Sequence, residues 1–187
     1  FEDTTNTDSI AVADLANCQV VTGAGTGTIT FKLTQIKSTS AVRQLVAADP
    51  SAAALAFGST RYLGVEGPTG AYATAEADVQ VAAQTAFTAR NLMVVSRTNA
   101  INGATTVKER KNGGYGNLSI SIPAATTGVF EDTTNSTAYV TTDLIDWEIV
   151  TLGTANSIIL HIVGVEQQPP AAASSGNAGL MAMIMGG

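Results

Sequence analysis

The sequence predicts an all-β chain: an antiparallel β-sandwich of jelly-roll type, built from a duplicated unit whose first copy is incomplete. Three observations carry that reading. Short runs of alternating apolar and polar residues recur with no helical period. Asn-Gly pairs and Gly- or Pro-containing stretches punctuate these runs at the spacing of hairpin turns. The block FEDTTN, which occupies positions 1–6, returns at positions 130–135.

The two copies align at a constant offset of 129 without a gap, with 10 identities in the first 22 positions. The register continues, with Ile29, Phe31, Leu33 and Ile36 falling on Ile158, Leu160, Ile162 and Val165. A match of this length is the mark of a duplication. Residues 1–38 therefore read as the second half of a first β unit. Within each copy the motif is expected at a corner between strands. Phe1 and Phe130 would plug the core. Asp3, Asn6, Asp132 and Asn135 would bond nearby backbone N–H groups, as Asx and Thr side chains do in turns. A calcium site on the Glu-Asp pair is the sharper alternative. Recurrence favours the corner, since every copy of a unit needs its corner and a catalytic site is rarely needed twice. Cys18 and Trp147 occupy one repeat position and read as core, small in one copy and large in the other.

The first copy lacks what precedes the motif in the second. Three accounts stand open: a fragment, a cleaved precursor, or completion by residues 39–86 or by a neighbouring subunit.

Residues 39–86 read as a linker or insertion. SAVRQLVAAD predicts a short helix ending before Pro50, and AEADVQVAAQTAF a strand with Val79 and Val81 on one face. Residues 87–166 read as the complete second unit, with strands at Leu92–Arg97, Thr105–Arg110 and Asn117–Ile122. Turns fall at Asn102-Gly103 and Asn112-Gly113, where positive φ is expected. SIILHIVGV closes the unit as a strand buried on both faces. Residues 167–187 form a Pro/Ala/Ser linker and an apolar tail. Leu180, Met181, Met183, Ile184 and Met185 are candidate assembly contacts, because Met adapts to irregular grooves.

Composition excludes several classes of function. The net charge is −6 and no basic run occurs, so a nucleic-acid partner is not expected. A single cysteine permits no intrachain disulfide and no thiolate cluster. No apolar stretch is long enough to span a membrane. His161, the one histidine, sits on an apolar strand with no second ligand in sight, so neither a metal site nor a catalytic triad has support. TGAGTGT lacks the Lys-Ser/Thr of a phosphate cradle and reads as a loop. The expectation is a protein that is not an enzyme and holds no cofactor. Charged residues make up 13% of the chain against about 25% in ordinary globular chains. A neutral polar surface of this kind suits close packing between subunits.

The stretch NLMVVSRTNAINGATTVKERKNGGYGNLSISIPAATTGVFEDTTN, followed by DLIDWEIVT, resembles jelly-roll modules in virion structural proteins of tailed bacteriophages. The resemblance covers about 80 residues of the second unit, and the half-copy adds about 35. It implies a head decoration (cement) or fibre subunit located in the virion. Its partners would be copies of itself, a homotrimer being favoured, and a capsid or other virion protein. Two alternatives remain: an extracellular filament subunit joined by strand complementation, and a carbohydrate-binding or adhesin module. Scarce aromatics, 5% of the chain, weigh against the last.

Overall fold

The structure, a computed structural model, describes residues 44–50, 53–65, 67–68 and 72–170. Phe1, Asp3, Asn6, Cys18 and the tail residues Leu180, Met181, Met183, Ile184 and Met185 lie outside the described residues. Within them the chain is all-β, and two sheets pack face to face as a β-sandwich.

The strands are β1 (Gln44–Asp49), β2 (Leu55–Ala56), β3 (Thr60–Leu63), β4 (Gly67–Pro68), β5 (Val81–Ala82), β6 (Phe87–Asn99), β7 (Thr105–Lys111), β8 (Gly114–Ile122), β9 (Gly128–Tyr139), β10 (Leu144–Thr151) and β11 (Ser157–Gln168). A single 3-10 turn covers Glu76–Asp78. One sheet runs β4-β1-β11-β6-β9, with β2 also on β11. The other runs β3-β10-β7-β8, with β5 also on β10. All pairings are antiparallel except the short one between β1 and β4.

Period-2 alternation explains the core. In β8, Leu118, Ile120 and Ile122 are buried while Asn117, Ser119 and Ser121 are exposed. In β7, Thr105, Val107 and Glu109 face inward. These side chains meet Leu92, Val94, Leu160 and Val165 from the facing sheet, with Trp147 fully buried among them. At one end of the core the rings of Phe87 and Tyr139 stack with centroids 4.9 Å apart. β10 is buried along both faces from Ile145 to Ile149, because the segment around the 3-10 turn crosses its outer side.

The β7–β8 hairpin turns where the sequence places it. Asn112 (φ 52°) and Gly113 (φ 78°) both take the left-handed conformation of a tight two-residue turn. Asn102-Gly103 works differently, since neither residue has positive φ. The Asn102 side-chain oxygen accepts the N–H groups of Thr154 (2.8 Å) and Ala155 (3.3 Å). Gly103 lies so close to the same loop that a Cβ there would stand 2.5 Å from the Gly153 nitrogen. The glycine is required by close approach of two loops.

Residues 39–86 depart from expectation. Gln44–Asp49, placed in a short helix by the sequence, is a strand paired with β11 from Gln44↔Gln167 to Ala48↔Val163. An exposed edge of β11 supplies more backbone bonds than a short isolated helix could keep in water. The segment is therefore no linker. It contributes β1 to one sheet and β3 to the other, and the sandwich runs from residue 44 to residue 168 rather than starting at 87. Strands of two to six residues rich in Ala, Gly and Pro are too short to show alternation. Residues of β1, β3 and β5 pair with β10 and β11 of the second copy.

Candidate functional site

Two polar clusters stand out from the apolar core. The first ties β8 to β9, edge strands of different sheets that stack along one side of the sandwich. Both strands bulge there. Three residues of β8 (116–118) oppose Glu109, and three of β9 (133–135) oppose Asn91, which takes φ 52°. Asp132 sits at the head of the β9 bulge. Its Oδ1 accepts the backbone N–H groups of Thr134 (3.2 Å) and Asn135 (3.1 Å) and the Asn135 amide (3.1 Å). Its Oδ2 accepts the Ser119 N–H of β8 at 3.1 Å. Two residues earlier on β8, the Asn117 N–H donates to the Thr137 hydroxyl (2.9 Å) and the Asn117 amide to the Ser136 carbonyl (2.7 Å).

Glu109 completes this lacing from inside. It is fully buried. Its Oε2 accepts the Thr137 hydroxyl and the Leu118 N–H, and its Oε1 accepts the Tyr139 hydroxyl at 2.9 Å. Burial pushes the Glu109 carboxyl above its ordinary pKa, and the hydrogen bonds from Thr137 and Tyr139 offset part of that rise. Burial also acts to raise Asp132. There the donors of Asn135, Ser119 and Thr134 together outweigh it and hold the carboxylate below its usual range. A Cβ at Gly116 would stand 2.0 Å from Glu109 Oε2, so any other residue here would displace the Glu109 carboxylate.

The repeated motif thus has a defined role. In the second copy Asp132 bonds backbone donors as Asx chemistry predicts, whereas the Asn135 side chain donates its amide to the Asp132 carboxylate; both sit at a bulge within β9, not at a corner between strands. Phe130, at the head of the motif, is half-buried against the core.

The second cluster lies on the outer face of the β3-β10-β7-β8 sheet. Arg110 forms a two-pronged pair with Glu76, Nε to Oε1 at 3.1 Å and Nη2 to Oε2 at 3.0 Å. Its Nη1 lies 3.5 Å from Glu148 Oε2. Tyr115 donates its hydroxyl to Glu148 Oε1 at 3.0 Å. Glu76 pins the covering segment to the sheet, and beneath that segment lies Asp146, opposite Arg110 in the ladder. Asp146 is completely buried, and neither carboxylate oxygen has a hydrogen bond of ordinary geometry. Burial and then the Glu76 charge push its pKa up to about 7, against the weaker pull of Arg110 and the Gln80 amide.

Glu109, Arg110 and Tyr115 escape the sequence reading because they flank the Asn112-Gly113 turn in a charged stretch, and Asp146 because DLIDWEIVT is read for its repeat match and its Trp147. The signal was present: with Val107 inward, period 2 puts Glu109 on the core side. His161 lies half-buried in β11 where its pairing with β6 slips register. Among the described residues no group of three or more His, Cys, Asp or Glu side chains is placed to hold a metal ion. No helix among them is long and apolar enough to cross a membrane. In both clusters the hydroxyls, Thr137 and Tyr139 on Glu109 and Tyr115 on Glu148, donate to carboxylates that tie strands together.

No protein-family model matches the chain, and no curated protein matches it.

Proposed function

We propose that the protein is a structural assembly subunit of a virus particle, of head decoration or fibre type, that acts through contacts with copies of itself and with another virion protein. The observation that carries this reading is the strand order. The eight main strands divide between the sheets as β1-β11-β6-β9 and β3-β10-β7-β8. In chain order, β1, β6, β9 and β11 fall in one sheet and β3, β7, β8 and β10 in the other. Each sheet sets its last strand beside its first. This nesting supports reading the sandwich as a double Greek key jelly roll, a fold used by viral capsid proteins and also by lectins. Fold alone does not select between them.

Two further observations favour assembly. The low charge suits a surface that other subunits cover. Parts of the sheet edges are also guarded. β8 and β9 are laced together, β4 flanks β1, and an isolated bridge from Ala73 covers β3 at Tyr62. Guarded edges resist strand addition, so association through faces and through the apolar tail is favoured over the filament alternative.

Electron microscopy of the full chain, beside a variant lacking residues 171–187, tests the reading. The full chain should form discrete particles, and the shortened one should lose them or form smaller ones. Long fibres from both would favour the filament reading. Dispersed monomers from both would remove the assembly reading.

A further inference from the structure

We propose that the outer face of the β3-β10-β7-β8 sheet binds neutral polysaccharide, with the Tyr115 ring as the stacking platform. The inference is independent of the assembly reading and goes beyond it.

Tyr115 is 60% exposed, yet it is held from several sides. Its backbone pairs with Arg110 of β7. Its hydroxyl reaches Glu148 on β10, the strand beyond β7. The side chain therefore lies across β7, with the Lys108 Nζ 4.8 Å and the Arg110 guanidinium carbon 4.6 Å from the ring centroid. Glu76 and Glu148 in turn fix Arg110. With the residue 60% exposed, part of the side chain stays open to water. A large aromatic ordered at the surface in this way is pre-organised for a partner, since its rotamer entropy is already spent.

The surroundings select the kind of partner. Two cations, Lys108 and Arg110, stand against two carboxylates, Glu76 and Glu148, so the patch is balanced and suits a ligand without net charge. The carboxylates also oppose a phosphate backbone. A stable protein interface buries about 1,200–2,000 Å² around an apolar centre. Here Tyr115 is the one large exposed apolar side chain recorded on this face among the described residues. A single ring matches the apolar face of one sugar unit. Lys108, with the outward Ser119 and Ser121, supplies donors and acceptors for its hydroxyls.

The test is affinity electrophoresis of the full chain through gels containing dextran, mannan or galactan. It is run beside Tyr115→Ala and Tyr115→Phe, with the solution mass and melting temperature of each sample measured. At least one polysaccharide should retard the native chain. Tyr115→Ala should weaken that binding about tenfold or more, and Tyr115→Phe, which keeps the ring, about threefold or less. Mass should not change, and the melting temperature should fall by no more than the lost Glu148 hydrogen bond and ring contacts explain. Three results would overturn the proposal: no retardation by any of the three polymers, equal retardation of Tyr115→Ala, or a Tyr115→Ala variant of altered mass, which would make the ring a contact between copies. A native chain that is monomeric yet retarded would remove the assembly reading and leave this one standing.

Discussion

Asp132 and Asp146 both lie on strands of one sandwich, and their surroundings drive them in opposite directions. Asp132 collects backbone and amide donors and stays ionised. Asp146 is closed under the segment pinned by Glu76, meets two other carboxylates, and is held up to about 7. The consequence for stability has a definite sign. A carboxyl with a raised native pKa binds its proton more tightly folded than unfolded. Its contribution is complete below the ordinary value near 3.8 and is lost as pH rises toward 7. Asp146→Asn keeps the shape and removes the ionisation. It should match the native chain near pH 4 and exceed it above pH 7 by on the order of 2–4 kcal/mol. Urea unfolding across that range measures the difference, and parallel stability curves for the two proteins would refute the account of Asp146. Glu109 acts in the same direction as Asp146. Asp143 acts in the opposite one. The Val140 N–H, the Asn112 amide and the Lys111 ammonium lower its pKa to about 2, so its contribution fades only in strong acid.

At the level of elements, the lacing of β8 to β9 matters most. An edge strand presents a row of unpaired donors that another chain can use. On β8 the N–H groups of Asn117, Leu118 and Ser119 are taken by Thr137, Glu109 and Asp132. Asp132→Ala strips several donors of their acceptor at once. It should cost about 2–3 kcal/mol, as loss of hydrogen bonds to a buried charge does. It should also open the edge, so that the variant forms thioflavin-positive aggregate faster than the native chain. A variant as stable and as soluble as the native protein would sink the edge-guard role. The elements differ in how openly the sequence declares them. β6, β7 and β8 are long enough to show alternation, and Asn112-Gly113 names its own turn. β1 to β5 are not, and their pairing with β10 and β11 is decided by edges that exist only once the fold has formed. The bulge in β9 escaped notice for a related reason, because Asx chemistry serves a bulge as well as a corner.

For the molecule as a whole, the fold class and the core position of Trp147 were legible in the sequence, while the extent of the domain was not. The duplication drew the boundary at Phe87 because the repeat, at positions 130–165, takes in only β9 to β11. The strands that complete both sheets come from Ala-rich sequence with no repeat to mark it. Asp132 was legible as a structural carboxylate because its motif recurs. Asp146 and Tyr115 were not, since their roles arise from β3, β7, β8 and β10 coming side by side. The account's central claim concerns assembly, by a β-sandwich with laced edge strands, low charge and an apolar tail. The measurement that tests it most directly is the solution mass of the full 187-residue chain by sedimentation velocity over a wide range of concentration. The account predicts a discrete oligomer, a trimer first of all, that persists on dilution. A monomer at every concentration would contradict it.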